Sequence, residues 1–153
     1  MKKVGIVLLC ILLIGALAVP AMAGQGCSQG FWKNHPEAWG PTGRSETDLV
    51  EVVFAGAIPY VDSEDTLLQA LRYRGGRGLE GGARILLRQA VAALLNEAHT
   101  GVSYTQDVAD VITSVNEALA SDDRDEMLSL AGMLDIYNNL GCPLDELDEQ
   151  DTD

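Results

Sequence analysis

The segment Gly82-Ala-Arg-Ile-Leu-Leu-Arg-Gln-Ala-Val-Ala-Ala-Leu-Leu-Asn-Glu-Ala-His99 decides the fold. Its middle, Ala90 to Leu95, carries no polar residue over about one and a half helical turns, so no side of it can be left to water. A helix that is apolar all round must be wrapped by other elements. Ala90, Ala92 and Ala93 let neighbours approach closely, while Leu86, Leu87, Val91, Leu94 and Leu95 supply buried bulk. Arg84 and Arg88, one turn apart, mark the strip nearest solvent. The expectation is an all-α fold, a small disulfide-closed bundle of four to five helices around a central apolar helix spanning 83–98.

C-terminal to this segment, Thr105 is placed to cap a helix that carries Val108, Val111, Ile112, Val115 and Leu119 on one face. Asp122, Asp123, Asp125 and Glu126 gather at the start of a last helix, whose buried side reads Met127, Leu130, Leu134 and Tyr137 and which Gly141 ends. Their order does not match a calcium loop, and helix capping explains them better. Residues 145–153 hold six acids in nine positions, the composition of a disordered tail.

On the N-terminal side lies the glycine-rich stretch Gly75 to Gly82. Such a loop before a helix can cradle phosphate on its amides, with Arg74 and Arg77 beside it. It lacks a Gly-Lys-Ser/Thr ending and no strand precedes it, so a flexible helix-to-helix connection is the better reading. Before it, Asp62 or Ser63 caps a helix with Leu67, Leu68 and Leu71. Earlier still, Ser45 and Asp48 open one with Leu49, Val52 and Val53, where the β-branched content also suits a strand. Residues 24–44, rich in Gly, Pro and aromatics, read as irregular.

The first 23 residues form a separate unit. Lys2 and Lys3, the apolar run Val4 to Val19, Pro20 and the small-x-small pattern Ala21-Met22-Ala23 predict a signal peptide cleaved before Gly24. The run is short for an uncleaved anchor, and a cleavage site follows it at once. The single helical domain is then expected over 24–144, with the acidic tail over 145–153. Cleavage removes Cys10 and leaves Cys27 and Cys142, which in an exported protein read as a disulfide; unpaired thiols or a bond to a second chain are the alternatives. Loss of Lys2 and Lys3 takes the formal charge from -13 to -15. That charge argues against nucleic acid and anionic membranes as partners and favours divalent cations or a cationic partner.

The stretch Cys27-Ser-Gln-Gly-Phe-Trp-Lys-Asn-His-Pro-Glu-Ala-Trp39 holds both tryptophans of the chain and Phe31. Pro36 keeps His35 out of the helical region, and Pro36 to Trp39 can form one turn with His35 at its cap. Two arrangements of this stretch stand side by side. In one, Trp32 and Trp39 form an aromatic platform for a sugar, with Asn34, His35 and Glu37 bonding its hydroxyls. In the other, both tryptophans pack on the central helix as a lid that Cys27 ties to the last helix.

This stretch, together with Leu86-x-x-Gln89-x-x-Ala92-Ala93-x-Leu95-Asn96 and Asn138-Asn-x-Gly-Cys-Pro143, resembles a small domain of secreted and cell-surface proteins of bacteria and archaea. The resemblance covers nearly the whole of residues 24–144. That family has no established activity, so the resemblance implies location and domain extent and supplies no catalytic residues.

The catalytic inventory is thin. Both cysteines are spoken for, no Gly-x-Ser-x-Gly turn occurs, and His35 and His99 are the only histidines. His99, near a helix C-terminus, is explained by the helix dipole. No His-x-x-x-His or Cys-x-x-Cys spacing points to zinc, and no cofactor is expected. The reading is a non-enzymatic secreted or cell-surface structural or adhesion module. Phe31, Trp32, Asn34, His35, Glu37 and Trp39 are its candidate binding residues, and a cell-wall glycan or a surface protein its expected partner. The alternatives are an extracellular hydrolase using His35 with a nearby carboxylate, and a carbohydrate-binding module using Trp32 and Trp39.

Overall fold

Every residue from Ala90 to Leu95 is fully buried, as a segment without a polar side requires. In the computed structural model, which describes residues 24–145, this segment lies in the fourth of six α-helices. In chain order they are α1 (Gln29–Asn34), α2 (Val50–Val53), α3 (Leu67–Ala70), α4 (Gly78–Ala98), α5 (Val108–Ala120) and α6 (Arg124–Asn138), with 3₁₀ turns at Pro36–Thr42 and Ala55–Ala57. Among the described residues there is no strand, only isolated antiparallel bridges that pair Gly26 with Gly141 and Leu49 with Thr66. The expected signal peptide over 1–23, and the acidic tail apart from Asp145, lie outside the described residues.

The chain is all-α and closed by a disulfide between Cys27 and Cys142. Around α4 are wrapped α1, α3, α5, α6 and the Pro36–Thr42 turn. α5 contributes Val111, Val115, Ala118 and Leu119 to the core, and α6 contributes Met127, Ala131 and Leu134. Each leucine fully buried on α4 is worth about 1.5–3 kcal/mol, so packing rather than helix propensity holds that helix. Caps set where its partners begin. Asp107 accepts hydrogen bonds from the amides of Ala109 and Asp110, and Asp123 accepts from those of Asp125 and Glu126. The expected cap at Thr105 is therefore taken by Asp107, while the acidic cluster before α6 does act through a cap.

The glycine-rich stretch departs from expectation. α4 begins at Gly78, so the supposed connection supplies the first turn of the helix. It is packed rather than free: a Cβ on Gly81 would stand 2.2 Å from the carbonyl carbon and oxygen of Gly76, and one on Gly75 would stand 2.7 Å from Ile85 Cδ1. Arg124 clamps the stretch from α6, its Nε donating to the Gly78 carbonyl at 3.1 Å and its Nη2 to that of Gly76 at 3.2 Å. Two of the stretch's carbonyls thus serve a cation, an arrangement unlike a loop that cradles phosphate on its amides.

The N-terminal third departs as well. Ser45 N–H donates to Asp48 Oδ2 at 3.0 Å and closes a turn, not a helix. Leu49 then bridges to Thr66, and only Val50–Val53 is helical, with Val52 exposed. The next helix is capped at Thr66 instead of Asp62 or Ser63, by a reciprocal capping box in which Thr66 N–H donates to Gln69 Oε1 at 2.7 Å. It ends at Ala70, before the glycines are reached. Residues 24–44, expected to be irregular, contain α1 and a seven-residue 3₁₀ turn.

Gly81→Ala is expected to destabilise the protein by about 1–3 kcal/mol, because the added methyl meets backbone that cannot swing aside. Gly132→Ala, in α6 where a Cβ meets nothing within 4 Å, is expected to raise stability by up to about 1 kcal/mol through helix propensity. Urea melts of the two variants beside the parent check both signs.

Candidate functional site

The site begins with a six-residue helix. Ser28 caps α1, its Oγ accepting from Phe31 N–H at 3.2 Å. α1 turns Phe31 and Trp32 inward and leaves Asn34 exposed. His35 ends it, its N–H bonding the Phe31 carbonyl at 2.9 Å, and takes the cap position of the Pro36–Thr42 turn without a side-chain cap bond. That turn brings Trp39 inward, where its indole N–H donates to the Trp32 carbonyl at 3.0 Å.

What fixes this arrangement against α4 is the Asn96 amide. Its Oδ1 accepts from Cys27 N–H at 2.7 Å and from Trp32 Nε1 at 3.2 Å, while its Nδ2 donates to the Cys27 carbonyl at 2.8 Å and to Asn138 Oδ1 at 3.1 Å. Asn138 Nδ2 in turn donates to the Gln89 carbonyl and to Gln89 Oε1, each at 3.0 Å. The Tyr104 hydroxyl donates to Asn138 Oδ1 at 2.8 Å, and burial raises that phenol's pKa. Asn96 and Asn138 have no exposed surface. A buried polar network of this kind holds its geometry because every unmade bond would leave a desolvated group.

Trp32 and Trp39 are 0% and 2% exposed, so neither offers an open ring face for stacking a sugar. The aromatic-platform arrangement is thereby corrected in favour of the lid. The exposed large apolar side chains among the described residues, Val52, Ile58, Leu79, Met133, Ile136 and Leu140, are all aliphatic.

The other expected binding residues divide. Phe31, His35 and Glu37 border a cleft of about 280 Å³ that Pro41, His99 and Leu144 also line; Asn34 is not part of it. The His35 ring stacks on Phe31 with centroids 4.5 Å apart, and its Nδ1 lies 2.9 Å from Glu37 Oε1. Glu37 is held below the ordinary carboxylate range, first by its own backbone N–H and then by His35.

Sequence reading does not bring His99 to this cleft, since nothing in the local pattern links positions 64 residues apart. Burial lowers the His99 pKa, and its Nδ1 accepts from Gly101 N–H at 3.0 Å. The helix-dipole account of His99 is corrected accordingly: a buried imidazole accepting a hydrogen bond is neutral, and the dipole favours a cation. Chemically, the His35–Glu37 pair can relay a proton, but no hydroxyl or thiol side chain lines the cleft with it. Among the described residues no three of His, Cys, Asp and Glu gather closely enough to hold a metal ion. Comparison of the chain with protein-family models, with curated proteins and with solved structures gives no match in any of the three.

Asn96→Ala leaves the Cys27 peptide groups, Trp32 Nε1 and Asn138 without their partner, and is expected to cost at least about 3 kcal/mol, read from urea unfolding of the oxidised protein. For His99 the sign follows from linkage. Its folded value lies below the ordinary 6.5, so the unfolded chain takes up the proton first, and the stability present above that value is lost as pH falls below it. Melting temperature is expected to fall between about pH 7.5 and about pH 5.5, with a shallower slope in His99→Gln.

Proposed function

We propose that the protein is a non-enzymatic, exported structural or adhesive module that stands at the cell surface as a force-resistant body. The observation that carries this reading is the closure of the described chain at its two ends. Cys27 and Cys142 are bonded across a separation of 115 residues, and beside them Gly26 N–H donates to the Gly141 carbonyl at 3.1 Å. Tension applied before Cys27 and after Cys142 runs through one covalent bond, and the helices between them carry none of it. A chain that must link two bodies under load gains from this arrangement; an enzyme does not need it.

The disulfide also suits an oxidising compartment, in agreement with the signal peptide expected over 1–23. Among the described residues no helix is long and apolar enough to cross a membrane. The partner in this reading is a cell-wall glycan or another surface protein, met by a face other than the buried tryptophans.

A second reading, hydrolysis, is favoured by one observation: His35 and Glu37 are hydrogen-bonded at 2.9 Å on the edge of a cleft. It requires that His35→Ala abolish turnover of some substrate while the melting temperature stays unchanged. The structural reading expects His35→Ala to leave no activity missing.

Single-molecule extension between residues 24 and 145 tests the leading reading. Under oxidising conditions no long unfolding step is expected. With reductant, unfolding is expected to release about 40 nm, the contour length of the enclosed chain at about 3.6 Å per residue. A step of that length in the oxidised protein would remove the basis for a force-bearing role.

A further inference from the structure

The chain carries a formal charge of -13, yet four cationic side chains line one cleft of about 510 Å³: Lys33 from α1, Arg72 and Arg74 from the segment after α3, and Arg88 from α4. Gln29, one turn before Lys33 on the same face of α1, adds a neutral amide. No carboxylate lines the cleft, and none of the four cations forms an ion pair with a described residue.

The cleft is also held in shape. Arg72 and Arg74 are exposed on either side of Tyr73, whose hydroxyl donates to Asp65 Oδ2 at 2.6 Å and whose ring lies 5.7 Å from the Arg84 guanidinium. Gly75 follows directly and packs against Ile85, where a side chain would not fit. These contacts fix the backbone that carries both arginines. Arg88 reaches the same segment, its Nη1 donating to the Tyr73 carbonyl at 3.2 Å, while its Nε is buried with no hydrogen-bond partner.

Four like charges gathered without carboxylates repel one another, and an anion placed among them removes that repulsion. Guanidinium groups present paired donors that match the oxygens of a phosphate, and a lysine adds a point charge. The acidic body repels any anion at long range, and a ligand with several charges offsets that repulsion by engaging several of the four cations at once. The cleft is also far larger than one phosphate group needs. We infer that this cleft binds a ligand bearing two or more closely spaced phosphate groups. The assignment is independent of the force-bearing role, since loss of anion binding would leave the oxidised chain's resistance to extension unchanged.

Calorimetric titration of the purified, oxidised protein with inorganic tripolyphosphate at fixed ionic strength tests it. The expected result is saturable binding at one site, weakened at least about fivefold by Arg72→Ser or by Arg74→Ser. Arg44→Ser, which removes the same charge outside the cleft, is expected to change the affinity by less than about twofold. Absence of saturable binding, or an equal loss in Arg44→Ser, would overturn the site. Citrate binding as tightly as tripolyphosphate would overturn its assignment to phosphate.

Discussion

One buried amide, that of Asn96, holds the amino-terminal arm to the central helix. A peptide group taken out of water needs both its N–H and its carbonyl satisfied. Asn96 does this for Cys27 with opposite ends of the same side chain, and accepts the Trp32 indole N–H as well. Of the other side chains only glutamine carries the same amide, two N–H donors with a separate carbonyl acceptor, and glutamine would have to fit an extra methylene into a closed core. Asn138 continues the pattern from α6, so α1, α4 and α6 are joined through two side-chain amides.

The disulfide depends on that registration. Loop closure over 115 residues is worth about 4–5 kcal/mol on the chain-entropy account, which makes it a large contribution to a domain of this size. The covalent bond does not by itself decide which surfaces meet. Asn96 sets Cys27, the Gly26–Gly141 bridge sets the last residues before Cys142, and the bond then makes the closure permanent. The tryptophans are consequences of the same geometry. Trp32 lies between Asn96 and His99, and Trp39 is anchored to the Trp32 carbonyl, so the lid closes as one piece.

The central helix and the two that follow were legible because burial there is periodic. Ala90 to Leu95 has no polar side and α5 has a clear stripe, while on α6 Met127 and Leu134 are buried as expected and Leu130 and Tyr137 are half-buried. The Cys27–Cys142 pair was legible from cysteine count and the export expected from residues 1–23. The N-terminal third was not, because its short turns are held by distant partners that no local pattern encodes. Leu49 pairs with Thr66, Gly56 N–H bonds Asn116 Oδ1, and Tyr60 bonds the Leu119 carbonyl. The glycine-rich stretch misled for a related reason: glycine there serves close backbone packing rather than freedom. At the candidate site, the position of His35 beside Glu37 followed from spacing, but the presence of His99 in the same cleft required the tertiary fold. The cationic cleft was hidden by net charge, an average that cannot report where four of the basic residues stand.

These features give the molecule a closed body with several open clefts on its surface. The amino-terminal motif is spent largely inward, in a network with no exposed polar atom to offer a ligand through Asn96 or Asn138. The cleft edged by His35 and Glu37 and the one lined by Lys33, Arg72, Arg74 and Arg88 lie outside that network. The central claim, that the motif is a buried lid locked by Asn96 and the disulfide, is most directly tested by acrylamide quenching of tryptophan fluorescence, since both tryptophans of the chain lie in the motif. The account predicts weak quenching in the oxidised protein, far below that of a free indole in the same buffer. Quenching close to that of free indole would contradict it.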